Sequence, residues 1–150
     1  MTGVSTILDG DRIVAALRGA FVHDADRKRL LQLVADRMHA AGSPYTSIYM
    51  YLLDGAMLEL EAFAGRPTEH TRIPVGKGVC GTAVAEDRDQ NVPDVRAITN
   101  YISCNILTRS ELVVLIRRGP LVLGQIDVDS DALDPFTAAE HAEVKKIRGQ

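Results

Sequence analysis

The sequence predicts an α+β fold in which an antiparallel sheet carries helices gathered on one face. Two pairs of strand-like runs, 46–53 with 57–65 and 110–118 with 121–130, are each split by a short glycine-containing break and read as hairpins. Segments with helical spacing lie mainly outside those hairpins, so the regular strand–helix alternation of a parallel sheet is missing. At 150 residues and 46% hydrophobic content, the chain suits one domain over 1–150, able to bury about two thirds of the surface that its unfolded form exposes.

Taken in order, a helix is expected over residues 11 to 22. A second follows through about Ala41, with Asp24 as its candidate N-cap, because Leu30, Leu33, Val34, Met38 and Ala41 recur on one side. Gly42, Ser43 and Pro44 end that pattern, and TSIYMYLL and MLELEAFAG form the first hairpin about Asp54-Gly55. RIPV (72–75) is a short strand leading to an alanine-rich helix from about Val79 to Glu86. Residues 87 to 110 contain Pro93, scattered polar groups and no sustained period, which suits a long surface excursion carrying function. SELVVLIRR and LVLGQIDVDS pair around Gly119-Pro120. Thr137 followed three residues later by Glu140 makes a capping box for a last helix containing Val144 and Ile147.

Composition excludes several partners. A formal net charge of −3 with interspersed signs supplies no basic field for nucleic acid. The first twenty residues carry charges throughout and have no long apolar core, which predicts neither a secretory signal nor a membrane span, and hence a cytoplasmic location. Cys80 and Cys104 are the only cysteines, in a spacing that matches neither a disulfide framework nor a zinc signature.

The chemistry-bearing stretch is QIDVDS (125–130). On a strand, Asp127 and Asp129 project from one face about 7 Å apart while Ile126 and Val128 project from the other. That anionic face is either solvated sheet surface or one wall of a pocket for a cationic group. Glu111 begins the neighbouring strand, so three carboxylates can converge and raise one another's pKa values unless a cation compensates them; Arg109, Arg117 and Arg118 are available partners. Gly76, Gly78 and Gly81 spell G-x-G-x-x-G, but the flanking hairpins argue for a tight turn over a dinucleotide site. Cys80 falls in the first turn of the short helix, where the positive dipole end favours thiolate, or else it is an inert small core residue. His70, after Glu69, is either a surface residue or a tuner of a nearby thiol. A zinc site from Cys80, Cys104 and His70 would have no fourth ligand and no close ligand pair.

GKGVCGTAVA (76–85), VPDV (92–95), YISCN (101–105), SELVV (110–114) and GQIDVDS (124–130), in this order and spacing over roughly residues 45 to 140, resemble the free methionine-R-sulfoxide reductases, which are single GAF domains. The resemblance implies a GAF-like fold, with helices on one side of the sheet and a ligand pocket on the other beneath the excursion that bears Cys104. It implies that Asp127 and Asp129 hold the amino group of a free amino acid and that Glu111 assists the polarised sulfoxide. Cys104 matches the cysteine that attacks sulfur, and Cys80 matches a second redox cysteine that resolves the sulfenic acid as a disulfide. Thioredoxin or a similar thiol reductant would then close the cycle, with no bound cofactor and no metal. A homodimer built from the terminal helices is the assembly that related domains suggest.

Two positions depart from the family pattern. A third cysteine, usual ten positions before the one matching Cys80, is replaced by His70. The tryptophan of a W-A-G-F-Y strand is absent, and this chain reads TSIYMY with Ser47 near that place. Three outcomes therefore stand open: a reductase resolving through Cys80 or an external thiol, a relative acting on another small molecule, and a GAF domain that only binds a ligand or senses redox state.

Overall fold

The computed structural model describes residues 5–97 and 107–148. Its elements are α1 (Gly10–Val22), α2 (Arg27–Ala40), β1 (Ser47–Asp54), β2 (Met57–Ala64), β3 (Arg72–Pro74), α3 (Gly78–Glu86), β4 (Gln90–Val92), a 3₁₀ turn (Val95–Ala97), β5 (Ser110–Arg118), β6 (Leu121–Ser130) and α4 (Ala138–Arg148). The six strands form one sheet in the order β3-β2-β1-β6-β5-β4, with every neighbouring pair antiparallel.

Both expected hairpins form, with two-residue loops at Gly55-Ala56 and Gly119-Pro120. The second helix starts later than expected. Asp26, not Asp24, caps it, accepting from Arg29 N at 2.9 Å, whereas Asp24 takes a left-handed φ of 63° in the link between α1 and α2. Spacing alone could not separate two aspartates two residues apart; the extended backbone at Asp26 decides which side chain reaches back to the helix N–H groups. β4 is a strand inside the stretch read as irregular. Its three residues pair with Leu112, Val113 and Glu111 of β5, a ladder too short for periodicity to reveal.

Strand alternation separates two cores. Ile48 and Met50, Leu112 and Val114, and Ile126 and Val128 face α1, α2 and α4, where they meet Ile13, Val34, Met38, Val144 and Ile147. Tyr49, Tyr51, Leu58, Val113 and Leu115 face the other way and pack on Val79, Cys80 and Ala83 of α3. Three helices thus share one face, and α3 lies on the opposite face with the pocket. An apolar cleft of about 560 Å³ opens on the three-helix side, lined by Leu17, Phe21, Leu31, Val34, Met50 and Ile126.

Glu140 has a larger role than capping. Its backbone N–H bonds Thr137 Oγ1 at 3.1 Å, as a capping box requires, but its buried carboxylate turns inward. There it accepts from Tyr45 Oη (2.7 Å), Ile7 N (2.7 Å) and Leu8 N (3.2 Å), tying the segment before α1 to α4 and to the foot of β1. Burial and the Glu140 carboxylate push the Tyr45 pKa upward, so this phenol stays a donor. Among the described residues, no helix is long and apolar enough to cross a membrane.

Candidate functional site

The register of β1, β6 and β5 builds the site row by row. Ser47 pairs with Asp129, which pairs with Glu111; one step along, Tyr49 pairs with Asp127, which pairs with Val113. Glu111, Asp127 and Asp129 therefore rise from two adjacent central strands on the α3 side of the sheet. The solvated-surface alternative is excluded, since they are 5%, 3% and 4% exposed.

The wall opposite these carboxylates is α3. Gly76 and Gly78 adopt left-handed φ values of 93° and 63°, giving the sharp entry that the G-x-G-x-x-G spacing suggested. Gly81 permits close contact, because a Cβ there would stand 2.4 Å from Pro74 O. The motif therefore docks α3 tightly against β3 between antiparallel strands, the tight-turn alternative and not a dinucleotide loop. That docking points Cys80 down onto the acids, with Sγ 3.5 Å from Glu111 Oε2.

A third wall is stitched on by two tyrosines. Tyr49 Oη donates to Arg66 O and Tyr51 Oη to His70 O, each at 2.7 Å, while Ser47 Oγ accepts from Arg66 N at 3.0 Å. The loop between β2 and β3 is thereby held across the pocket face, and His70 comes to line the pocket with Cys80 and the three acids. The enclosed volume is about 10 Å³, room for roughly one water.

Burial favours the protonated forms of the groups in this pocket. Burial first, and then the Asp127 and Glu111 charges, push the Cys80 pKa well above its ordinary value, overriding the helix-start argument for a thiolate. Burial raises Asp127, with hydrogen bonds from Glu111 and Cys80 drawing it partly back. Burial and the neighbouring Asp127 raise Asp129 well above the usual carboxylate range, and Arg66 offsets only part of this. Of the arginines expected as partners, Arg117 is engaged elsewhere, binding the Asp87 carboxylate at 2.6 Å and Asp87 O at 2.8 Å. Arg66 is instead engaged in a two-point contact with Asp131, at 2.7 and 2.5 Å.

Asp127 Oδ1, Asp129 Oδ1 and both polar side-chain atoms of Gln125 are buried without a hydrogen-bond partner among the described residues. Buried polar atoms seldom remain so; the three residues alternate along one face of β6, and Asp127 and Asp129 line the pocket. Gln125, Tyr49, Tyr51 and Arg66 were missed by the sequence reading. The period-2 continuation of Asp127 and Asp129 back to Gln125 was the available signal for the first. Cys104 lies outside the described residues.

The sheet order, with three helices on one face and α3 and the pocket on the other, defines a GAF domain, the fold also seen in solved GAF domains. The chain is 35% identical over 100 residues to free methionine-R-sulfoxide reductase of Escherichia coli K12, a match covering 67% of this chain and 60% of that protein, so it spans under two thirds of the relative's length. A type II free methionine-R-sulfoxide reductase from Thermoplasma acidophilum superposes with a TM-score of 0.78 at 31% identity, covering 81% of this chain and 86% of that one. The Neisseria meningitidis enzyme in complex with its substrate superposes at 0.82 with 27% identity, covering 99% and 91%. No protein-family model matches. The chain belongs to the free methionine-R-sulfoxide reductase family of GAF-domain proteins.

Proposed function

We propose that the protein reduces a small free amino-acid sulfoxide, methionine-R-sulfoxide being the reference substrate, with Asp127 and Asp129 receiving its ammonium group. The observation that carries this reading is the pair of buried Oδ1 atoms on one face of β6 that have no hydrogen-bond partner among the described residues. A desolvated anionic site selects a cation, and it rejects analogues that leave its polar atoms unpaired. The ammonium also offsets part of what raises Asp129 and Cys80, where burial comes first and neighbouring negative charge second, so its binding favours proton release. The amino acid is far larger than this 10 Å³ space, so its binding requires the pocket to widen.

In the proposed cycle the Cys104 thiolate attacks the sulfoxide sulfur, and the pocket acids, with Glu111 nearest the polarised oxygen, deliver protons to that oxygen. Oxygen transfers to the Cys104 sulfur as the substrate S–O bond and the transient bond between the two sulfurs break, so the sulfide leaves with its lone pair and Cys104 is left as a sulfenic acid. Cys80 condenses with it, forming a disulfide and releasing water, and a thioredoxin-type dithiol reduces the disulfide. The protonated state of Cys80 supports a second reading, a GAF domain that binds the same amino-acid class without turnover, because a thiol that keeps its proton is a poor nucleophile. Thioredoxin-coupled NADPH oxidation with separated epimers decides between them. Turnover of the R epimer alone is expected; binding of that epimer without turnover at millimolar concentration would leave the binding-only domain.

A further inference from the structure

We propose that Cys80 Sγ, Glu111 and Asp127 form a binding site for one thiophilic divalent cation of the zinc class, in the same space that the amino-acid ligand would enter. One potential ligand atom from each of the three residues lies within 4.8 Å of the others, and all three residues are buried. Zinc takes sulfur at about 2.3 Å and carboxylate oxygen at about 2.0 Å, and in a tetrahedron those arms place the two donors about 3.5 Å apart. The Cys80 Sγ to Glu111 Oε2 separation is 3.5 Å already, and a ligand atom of Asp127 lies within 4.8 Å of both.

The acids alone would not define a site. The independent observation is Asp129, outside the trio: it lines the same pocket, is 4% exposed, and its Oδ1 is buried with no hydrogen-bond partner among the described residues. The enclosed 10 Å³ suits a single ion or water and not an organic molecule. Three protein ligands leave a fourth position for water or for the Asp129 carboxylate, as in open zinc sites. One sulfur with carboxylate oxygens favours Zn²⁺, Co²⁺ or Cd²⁺. Mg²⁺ and Ca²⁺ demand six or more oxygen ligands, which this cluster does not offer.

The cation enters as the aquo ion, the Cys80 proton passes to the buffer, and no oxidation state changes. Occupancy and ammonium binding exclude each other, because both require Asp127. The cation site does not depend on the reductase reading, and its test needs no substrate.

Titrating the reduced, intact chain with Co²⁺ under anaerobic conditions reads the site directly through thiolate-to-cobalt charge-transfer absorption. The expected result is a band that saturates at one equivalent, persists in Cys104→Ser, disappears in Cys80→Ser and is displaced by Zn²⁺ but not by excess Mg²⁺. Glu111→Gln, checked for folding by circular dichroism, should weaken Co²⁺ by more than the roughly 10- to 100-fold typical of outer-shell partners. No band in the folded wild type, a band surviving in Cys80→Ser, or unchanged affinity in folded Glu111→Gln would overturn the proposal.

Discussion

Cys80 Sγ lies 3.5 Å from Glu111 Oε2 in a pocket that holds roughly one water, so a thiol donates toward a carboxylate at the start of a helix whose dipole alone would favour a thiolate. Desolvation and two neighbouring charges outweigh the dipole, which is worth about 1 kcal/mol at such a position. In Cys104→Ser, alkylation of Cys80 at pH 8, followed by mass spectrometry, should therefore be at least an order of magnitude slower than in the urea-unfolded chain. Asp127→Asn should speed it by removing negative charge without opening the pocket. A burst of labelling in the folded protein would refute this account of the thiol.

The Asp129 carboxyl supplies a pH signature. Its folded pKa lies above its unfolded value, so the native state binds more protons than the unfolded state between the two, and its contribution to stability is fully present at low pH and lost as pH rises through the folded value. Asp129→Asn keeps the shape without the charge. It should raise the melting temperature near pH 7.5 by at least about 2 °C, flatten the decline in stability above pH 5, and abolish ligand stabilisation. Equal melting temperatures across pH 5 to 8 would mean that Asp129 is not held under strain.

Glu140 anchors three donors inside the helical face. Glu140→Ala strands Tyr45 Oη and the Ile7 and Leu8 amides, so a loss on the order of 3 kcal/mol is expected in urea denaturation, with Glu140→Gln losing less because it retains an acceptor. Tyr45→Phe combined with Glu140→Ala should cost less than the sum of the single changes, since the two share one bond. Additivity would contradict the contact.

Gly81 fixes the distance between α3 and β3. A methyl group there meets Pro74 O at 2.4 Å and Gly76 N at 2.9 Å, both backbone atoms that cannot rotate away. Gly81→Ala should cost about 1–3 kcal/mol and push Cys80 away from Glu111. Faster Cys80 alkylation should accompany the loss; stability equal to wild type would show that α3 is looser than its packing implies.

What the sequence made legible follows the strength of local signals. The bounds of β5 and β6 were readable because Gly119-Pro120 separates two strand-like runs, whereas the pairing, which shifts register between Ile116 and Arg117 and sets Glu111 beside Asp129, came from the structure. The depth of the acids was not readable, since alternation alone says which side a carboxylate faces and not whether a helix covers that side. Glu140 looked like a capping residue because its partners Ile7, Leu8 and Tyr45 lie 95 or more positions away. The thiol state of Cys80 stayed open between thiolate and inert thiol for a similar reason: the local dipole was visible, and the two acids that oppose it come from strands about 30 or more residues downstream. The pocket's third wall rests on tyrosine hydroxyls meeting backbone carbonyls, contacts with no sequence signature.

The central claim is that two desolvated aspartates on β6 await an ammonium group. Titration calorimetry of the reduced protein with free methionine-R-sulfoxide and with its N-acetyl derivative tests this whether or not turnover follows. The account predicts saturable binding of the free amino acid, with proton release whose magnitude varies with buffer ionisation enthalpy, and at least a hundredfold weaker binding once the amine is acylated. Equal affinity for the two ligands would contradict it.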